Sequence, residues 1–387
     1  MDKLRFGIIG IGNMGSSHAL RLDAGEITNA TLTAVCDVKP DRLEWAQKNL
    51  SDRVERFDSD ESFFANAKID AVLVAVPHYE HPSLCIEGFH RGLHVLCEKP
   101  AGVYTKQVRE MIAESKKTDK IFGMMFNQRT NPVYKKVKDL MDSGELGDLK
   151  RVVWIITNWY RSQSYYNSSD WRATWVGEGG GVLLNQDPHQ LDLWQWMCGM
   201  PTKIRAFVKY GVNRDIEVEN DVTAYAEYAN GATGLFVTST HEAPGTNRFE
   251  ISADRGKLVI EDDIVTFWRN RVGEKEFNAS YTGGFGQPEC WKCVIPTPGE
   301  NPQHKGILNN FTDAALHGAK LLAPGEEGIR GLSISNAMHL SAWTDNWVDP
   351  SNLDEDLFYN LLQERIKNST FKKQSSSGKT LSVNGTF

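Results

Sequence analysis

Two residues in this chain, Lys99 and His189, have side chains suited to holding a polarised oxygen and moving a proton. Lys99 stands between Glu98 and Pro100 at the end of an apolar run, and His189 follows three consecutive glycines. A lysine can donate a hydrogen bond to a hydroxyl or carbonyl oxygen, and burial can lower its pKa toward a useful range. Histidine alone titrates near neutral pH without help, so His189 is the natural general base. Together the two residues indicate acid–base chemistry at a carbon that bears an oxygen.

Pro188 indicates where the helix that carries His189 begins. Proline is tolerated only in the first turn of a helix, so this helix is predicted to start at about residues 185–187. Asn185 and His189 are then one turn apart and share a face, with Asp192 three residues further along. Taken singly, each residue also has an ordinary structural interpretation: a helix cap, an interior histidine, and a buried or capping acid.

A glycine-rich turn near the start of the chain predicts a dinucleotide site. It follows the apolar run of residues 4–9, leads into a helical stretch, and comprises Gly10, Ile11, Gly12, Asn13, Met14 and Gly15. One glycine allows the tight turn, one lets the backbone approach a pyrophosphate, and one lets the helix pack closely on the strand. Such turns also follow strands for purely steric reasons. Asp37, which ends the next apolar run about 20 residues later, is the ribose partner that the dinucleotide interpretation requires. A carboxylate there favours NAD over NADP, although Lys39 is a mitigating positive charge.

Further polar residues follow the next predicted strands. Pro77, His78 and His81 come after the apolar run of residues 71–75, and Glu98 after that of residues 94–97. Ligands of a parallel sheet lie beyond the carboxyl ends of its strands, so all four residues, with Lys99, are expected along the cofactor. The structural alternative is that Pro77 makes a turn and His81 caps the following helix.

The elements that must position these residues form two patterns. Over residues 1–125, short β-branched runs alternate with helical stretches, which predicts a doubly wound parallel sheet. Over residues 126–370, consecutive runs of period-two character predict an α+β domain with a large, mostly antiparallel sheet, open on one face or covered by another subunit. Asn230-Gly231 is a strong hairpin signal within it. Residues 371–387 form a polar tail that is expected to be poorly ordered.

Composition excludes several classes of function. The net charge of −7 and the absence of a basic block interleaved with aromatics argue against a nucleic-acid partner, and no apolar stretch is long enough to span a bilayer. The six cysteines are scattered and no signal segment opens the chain, which favours a reducing, cytoplasmic setting. Cys290 and Cys293 lack two further ligands at matching spacing, so no metal site is expected.

The combination of the glycine turn, Glu98-Lys99-Pro100, and three glycines followed by Asn185 and His189 resembles the Gfo/Idh/MocA oxidoreductase family over most of the chain. The resemblance implies an N-terminal Rossmann domain and a C-terminal domain whose open sheet makes a homodimer or homotetramer. It also implies hydride transfer between a nicotinamide and a carbinol carbon of a sugar or cyclitol, with Lys99 as the catalytic lysine and His189 as the proton-transferring histidine. Many members carry aspartate at the position of Asn185, and an amide cannot relay a proton, so Asn185 is expected to orient His189 or to bind a substrate hydroxyl beside it. Two other departures are His78, where asparagine is common, and Asp187, which replaces a glycine.

Substrate-binding residues are expected in two regions. Asn127 and Arg129, and likewise Trp171 and Arg172, match regions that border the substrate in the family. Residues 158–175 are rich in aromatic and polar side chains, Tyr160 among them, and such surfaces suit the apolar faces and hydroxyl edges of sugar rings. Core packing or a subunit interface is the alternative for most of these aromatics.

Two other functions remain open at this stage. In one, the enzyme retains its nicotinamide and oxidises a sugar carbon transiently, so that a neighbouring C–H becomes acidic and a glycosidic bond is eliminated. In the other, the protein binds NAD(H) and a partner protein without turnover.

Overall fold

The computed structural model describes residues 3–373, which contain two β-sheets. The first sheet has six strands in the order β3-β2-β1-β4-β5-β6, and all of its pairings are parallel. Its elements are β1 (Leu4–Ile9), α1 (Asn13–Asp23), β2 (Ala30–Cys36), α2 (Pro40–Asn49), β3 (Glu55–Phe57), α3 (Asp60–Asn66), β4 (Ala71–Val74), α4 (His81–His90), β5 (His94–Cys97), α5 (Thr105–Ser115) and β6 (Phe122–Met124). The predicted doubly wound parallel sheet is therefore confirmed.

The second sheet has eight strands in the order β14-β13-β12-β11-β7-β10-β9-β8. Its strands are β7 (Leu149–Ile156), β8 (Lys203–Tyr210), β9 (Glu219–Glu227), β10 (Thr233–Ser239), β11 (Asn247–Ala253), β12 (Gly256–Glu261), β13 (Ile264–Asn270) and β14 (Cys290–Ile295). All pairings are antiparallel except that of β7 with β10, so the predicted mostly antiparallel sheet is also confirmed. The hairpin at Asn230-Gly231 joins β9 to β10, with Gly231 at φ +84°.

Helices cover one face of the second sheet and also reach the first. They are α6 (Pro132–Asp142), α7 (Gln163–Tyr166), α8 (Val182–Asn185), α9 (Pro188–Cys198), α10 (Glu274–Ser280), α11 (Gln303–His317), α12 (Gly328–Thr344) and α13 (Glu355–Asn368). Phe311 of α11 packs on Phe6 of β1, with ring centroids 5.9 Å apart, and Phe358 of α13 belongs to the same core. The first sheet ends at Met124 and the second begins at Leu149, but late helices complete the core of the first one. Of the predicted tail, residues 374–387 lie outside the described residues.

Seven of the described helices and strands have no counterpart in the sequence prediction: β3, α3, α7, α8, α10, β14 and α11. β3 has only three residues, two of them charged, and β14 is largely exposed, so neither shows the apolar alternation that marks a half-buried strand. Cys290 and Cys293 lie three residues apart on β14. Because side chains alternate across a strand, these two thiols point to opposite faces and cannot bind one metal ion.

The other face of the second sheet presents apolar side chains to solvent. Phe207, Ile264 and Val294 are each more than half exposed, and Tyr225 is about 40% exposed. The strands that carry them bury the alternate residues against the helices. These exposed side chains form two groups, Phe207 with Tyr225 near one edge of the sheet and Ile264 with Val294 near the other, and grouped exposed apolar side chains favour an interaction surface.

Candidate active site

The glycine turn between β1 and α1 is shaped by close backbone contacts. Gly10 has φ +84°, and a Cβ atom there would lie 2.6 Å from the Ala75 carbonyl oxygen. A Cβ on Gly15 would lie 1.8 Å from the Gly10 carbonyl oxygen, so this glycine lets the helix pack on the strand end. A Cβ on Gly12 would meet nothing within 4 Å and would project into open space. Gly12 therefore leaves the room above the turn that a pyrophosphate needs, and the turn fits a dinucleotide.

Asp37, at the end of β2, is bound to this turn. Its Oδ2 accepts the Ile11 N–H at 2.9 Å, and its Oδ1 accepts the Lys39 N–H at 3.0 Å. Arg42 also reaches the turn, because its Nε donates to the Ile11 carbonyl oxygen at 2.8 Å. The carboxylate is half-buried at the strand edge, where an adenosine ribose would lie.

Lys99 follows β5 and connects the two parts of the molecule. Its Nζ donates to the main-chain carbonyl oxygen of Asn185 at 2.9 Å. Burial lowers the pKa of Lys99, and the negative charge of Glu98 opposes that effect. Glu98 is itself buried and paired with His18, with Oε1 and Nε2 2.7 Å apart. Burial, the largest single effect, would raise the pKa of Glu98, but the hydrogen bond and charge of His18, together with the charges of His304 and Lys99, lower the pKa to about 2.

His189 lies near the start of α9, and its ring is 5% exposed. Within residues 3–373 neither ring nitrogen has a hydrogen-bond partner. Burial lowers the pKa of His189 well below its usual value, and the positive charge of Lys99 adds to this effect. His189 is therefore a neutral imidazole near pH 7, able to accept a proton from a bound hydroxyl.

The expectation that Asn185 and His189 share one helical face is wrong. Asn185 ends α8, and Gln186 and Asp187 separate it from α9, so the two residues lie on different helices. The Asn185 amide instead donates from Nδ2 to Glu178, while its Oδ1 accepts from the Tyr165 hydroxyl at 3.3 Å and from Gln186 at 3.0 Å. Asn185 therefore does not orient His189. Asp187 is fully buried facing Thr238 and Trp159, and burial raises its pKa well above the usual range.

Arg129 is placed differently from the sequence expectation. Its guanidinium is 1% exposed and forms a bidentate ion pair with Asp192, at 2.6 and 2.8 Å, and a further pair with Glu327 at 2.5 Å. A guanidinium so occupied has little left to offer a substrate, so the substrate-binding assignment is corrected to a structural one. Asn127 is buried beside it. Its Nδ2 contacts Gln303, and its Oδ1 has no partner within the described part of the chain.

The two histidines after β4 differ in role. The His81 ring nitrogens lie 2.6 Å from the Pro100 carbonyl oxygen and 2.8 Å from that of Val76. His81 thus braces two strand ends and is not free to contact a cofactor, which corrects that assignment. It does not cap α4 either, because the cap residue is Glu80 and no side-chain cap hydrogen bond is present. His78, which follows Pro77 in a short 3₁₀ turn, is buried edge-on to Trp171, with ring centroids 5.5 Å apart. His78 therefore lies where the first sheet meets the loop that precedes the three glycines.

Trp171 and Arg172 lie in that loop, close to Asn185. The Arg172 guanidinium stacks over Tyr165 at 4.4 Å from the ring centroid, and its Nη1 donates to the Tyr165 hydroxyl at 2.5 Å. Tyr160 lies apart from this group, 49% exposed, under the guanidinium of Arg214. Tyr165 and Glu178, which contact Arg172 and Asn185, were not among the predicted site residues. The signal for Glu178 is that an acid directly precedes the three glycines.

A glycine turn beside Asp37, with a lysine and a neutral histidine beyond the strand ends of the same sheet, defines a nicotinamide-nucleotide-dependent oxidoreductase. Residues 4–126 match the profile described as the oxidoreductase family, NAD-binding Rossmann fold, and residues 134–259 match the GFO/IDH/MocA C-terminal domain. The chain belongs to the Gfo/Idh/MocA family of NAD-binding oxidoreductases.

Relatives of known activity share modest identity with the chain over much of its length. The myo-inositol 2-dehydrogenase of Thermotoga maritima is 28% identical over 265 residues, which cover 67% of this chain and 75% of the relative. The levoglucosan dehydrogenase of Pseudarthrobacter phenanthrenivorans is 24% identical over 390 aligned positions, which cover 90% of this chain and 98% of the relative. The crystal structure of the WlbA dehydrogenase from Bordetella pertussis, in complex with NADH and UDP-GlcNAcA, has the same fold, with a TM-score of 0.75 and 23% identity. That alignment covers 90% of this chain and 98% of that one.

A membrane-spanning helix needs sufficient length and hydropathy. Across residues 3–373, none of the helices is both long and apolar enough to cross a bilayer.

Proposed function

We propose that the protein oxidises a secondary alcohol of a sugar, sugar derivative or cyclitol with NAD, or reduces the corresponding ketone. The observation that carries this proposal is the His189 ring, buried, neutral and without a hydrogen-bond partner within the described residues, close enough to Lys99 for the charge of that lysine to lower its pKa. A buried imidazole with both nitrogens unbonded is costly unless a ligand supplies the missing partner.

In the direction of oxidation, Lys99 donates a hydrogen bond from Nζ to the substrate oxygen and stabilises the charge that develops there. His189 accepts the hydroxyl proton on a ring nitrogen, so that the oxygen can form a carbonyl. The nicotinamide, when bound, supplies the acceptor for the hydride that leaves the carbinol carbon. In reduction the same two groups act in reverse, with the imidazolium of His189 returning the proton.

The cofactor contacts in this proposal come from the edge of the first sheet. The N–H groups at the start of α1 face the pyrophosphate, Asp37 binds the ribose, and Glu98 with Lys99 borders the nicotinamide. The residues assigned to this set are Gly10, Gly12, Asn13, Met14, Gly15, Asp37, Pro77, His78, Glu98 and Lys99. NAD is favoured over NADP because the Asp37 carboxylate repels a 2′-phosphate.

The substrate contacts come from the second part of the molecule. Asn185 accepts a hydrogen bond from Lys99, Arg172 is close enough for its charge to lower the pKa of Lys99, and Trp171 packs edge-on to His78. Oδ1 of Asn127, which has no partner within the described residues, adds an acceptor. Amide, guanidinium and indole groups match the hydroxyl edges and apolar faces of a pyranose or cyclitol ring. The activities named for the inositol and levoglucosan relatives support the same class.

The test is a panel of inositols, aldoses, anhydrosugars and their keto forms, each incubated with NAD⁺ or NADH and followed by nicotinamide absorbance. At least one member should be turned over, and the rate should fall strongly in His189→Ala. His90→Ala, at an exposed histidine of α4, is the matched control and should keep the wild-type rate. Aryl glycosides belong in the panel, because their cleavage without net NADH would indicate the nicotinamide-retaining mechanism instead. Failure of every compound in the panel would contradict the proposal.

We further propose that a second copy of the chain covers the exposed apolar face of the second sheet, giving a homodimer or homotetramer. The exposure of Phe207, Ile264 and Val294 supports it, because a stable interface needs an apolar core of this kind.

A further inference from the structure

Glu178 is a buried carboxylate inside the site that the proposed reaction does not use. It is 1% exposed and directly precedes the three glycines of residues 179–181. Its Oε2 accepts the Ala173 N–H at 2.5 Å, its Oε1 accepts from Nδ2 of Asn185, and Arg172 Nη1 lies 3.9 Å from Oε1. A buried charge that is held this closely has to be balanced by specific partners.

The contact with Asn185 determines which way the amide points. A carboxylate only accepts hydrogen bonds, so Nδ2 must face Glu178 and Oδ1 must face the opposite way. There Oδ1 meets two donors, the Tyr165 hydroxyl and Nε2 of Gln186. The main-chain oxygen of the same asparagine holds Nζ of Lys99. One carboxylate therefore orients the residue that joins Tyr165 to the lysine of the proposed reaction.

We propose that Glu178 is a positioning residue that acts through Asn185, and that the two form a carboxylate–amide pair whose members can be exchanged only together. This inference rests on the proposed function, because it assigns to the pair the placement of Lys99, Tyr165 and Gln186 beside the substrate. It also gives a reason for an asparagine at position 185: a second carboxylate there would face Glu178.

The hydrogen-bond inventory predicts what each exchange does. In Asn185→Asp two carboxylates meet, so one must take a proton or move away. Glu178 accepts two hydrogen bonds, one from the Ala173 N–H and one from Nδ2 of Asn185. The glutamine of Glu178→Gln has only one oxygen to accept with. Its nitrogen therefore faces one of these two donors. In the double variant the new amide oxygen accepts from Ala173 and its nitrogen donates to the new carboxylate at position 185. The other oxygen of that carboxylate still accepts from Tyr165 and Gln186. Only the double exchange satisfies every partner.

The experiment compares the wild type, both single variants and the double variant. The first readout is kcat/KM with the panel sugar that the wild type turns over fastest. Each single variant should lose about tenfold or more, the double variant should recover to within a few-fold of wild type, and NADH affinity should change little throughout. Glu217→Gln is the matched control: this glutamate also accepts a main-chain N–H, from Trp175 at 2.8 Å, but has no hydrogen bond to Asn185, and its replacement should leave kcat/KM unchanged.

The second readout does not need a substrate. Lys99 is labelled with pyridoxal 5′-phosphate and borohydride in the full-length protein, and the labelled peptide is measured by mass spectrometry. Labelling should rise in the single variants, because a mismatched side chain at position 185 displaces the main-chain carbonyl that holds the ammonium, and should return to the wild-type level in the double variant. If no panel sugar reacts with the wild type, the proposed function fails and the labelling series still decides this inference. Losses that simply multiply in the double variant, or equal labelling in all four proteins, would overturn it. Should Glu178→Gln fail to fold, the comparison of Asn185→Asp with the double variant remains decisive.

Discussion

The ammonium of Lys99 donates a hydrogen bond to the main-chain carbonyl of Asn185 at 2.9 Å, and this contact joins the end of β5 to the end of α8. A main-chain acceptor holds the lysine without neutralising its charge, and burial lowers the pKa of the amine. The lysine is thus placed at the meeting point of the two parts of the molecule and can still donate to a substrate oxygen.

Lys99→Met keeps most of the volume of the side chain and removes its charge and donors. We expect turnover of a panel sugar to fall by about 10²- to 10⁴-fold, because the developing charge on the substrate oxygen loses its partner. NADH binding, measured by fluorescence, should change little. Lys48→Met, at an exposed lysine of α2, should behave as wild type. A fall in NADH affinity as large as the fall in turnover would show that Lys99 acts through its contact with the cofactor and not on the substrate oxygen.

The pH dependence of oxidation should report on His189. A general base must be neutral, and burial holds the pKa of this imidazole well below 6.5. The proton is therefore taken up only as the pH falls through that lowered value, so kcat/KM should be flat from neutrality down past pH 6.5 and fall at more acid pH. Measurement of kcat/KM in overlapping buffers checks this. An acid limb centred at or above pH 6.5 would contradict the assignment of a buried, unpaired His189.

Arg129 and Asp192 should matter for stability more than for substrate affinity. Removing one partner of a buried ion pair leaves the other charge uncompensated, so Arg129→Met should lower the free energy of unfolding by about 3–5 kcal/mol. Arg129→Met combined with Asp192→Leu should recover much of that loss. Urea denaturation measures both effects. If Arg129→Met raised KM strongly without loss of stability, the original substrate-binding interpretation would be restored.

Asp37 should determine the choice between NAD and NADP. Asp37→Ser removes the charge that repels a 2′-phosphate, so the Kd for NADPH should fall while that for NADH rises by about tenfold, the effect of one lost charged hydrogen bond. Fluorescence titration gives both constants. Asp41→Asn, at an exposed acid of α2, is the control and should change neither. Equal affinity of the wild type for the two cofactors would show that Lys39 and Arg42 cancel the effect of the carboxylate.

The exposed sheet face should carry the interface between copies of the chain. Phe207→Asp places a charge on the proposed contact, at the edge strand β8, and should convert the assembly to a monomer, measured by light scattering during size-exclusion chromatography. Leu357→Asp introduces the same charge at an exposed leucine of α13 and should not change the mass. A wild-type protein that is already monomeric would contradict the proposed assembly.

Much of the fold and part of the site could be predicted because their causes are local. The glycine turn, the apolar runs of the two sheets and the position of Pro188 each act over a few residues, so the strand–turn–helix and the start of α9 are visible in the sequence. Elements without such a pattern were missed. β14 is exposed. α11 is recognisable mainly from Phe311, and that residue packs on β1, which lies at the other end of the sequence.

The sequence by itself determined the shape of the glycine turn, since backbone geometry requires Gly10 and Gly15, and it predicted Asp37 as the acceptor for the ribose hydroxyls. Only the tertiary structure decided the partners of buried charges. Arg129 was expected at the substrate and binds Asp192, while Asn185 was expected beside His189 and binds Glu178. The reason is physical: a buried charge or amide is stable only where its partners lie, and partners that meet through tertiary folding leave no mark in local periodicity.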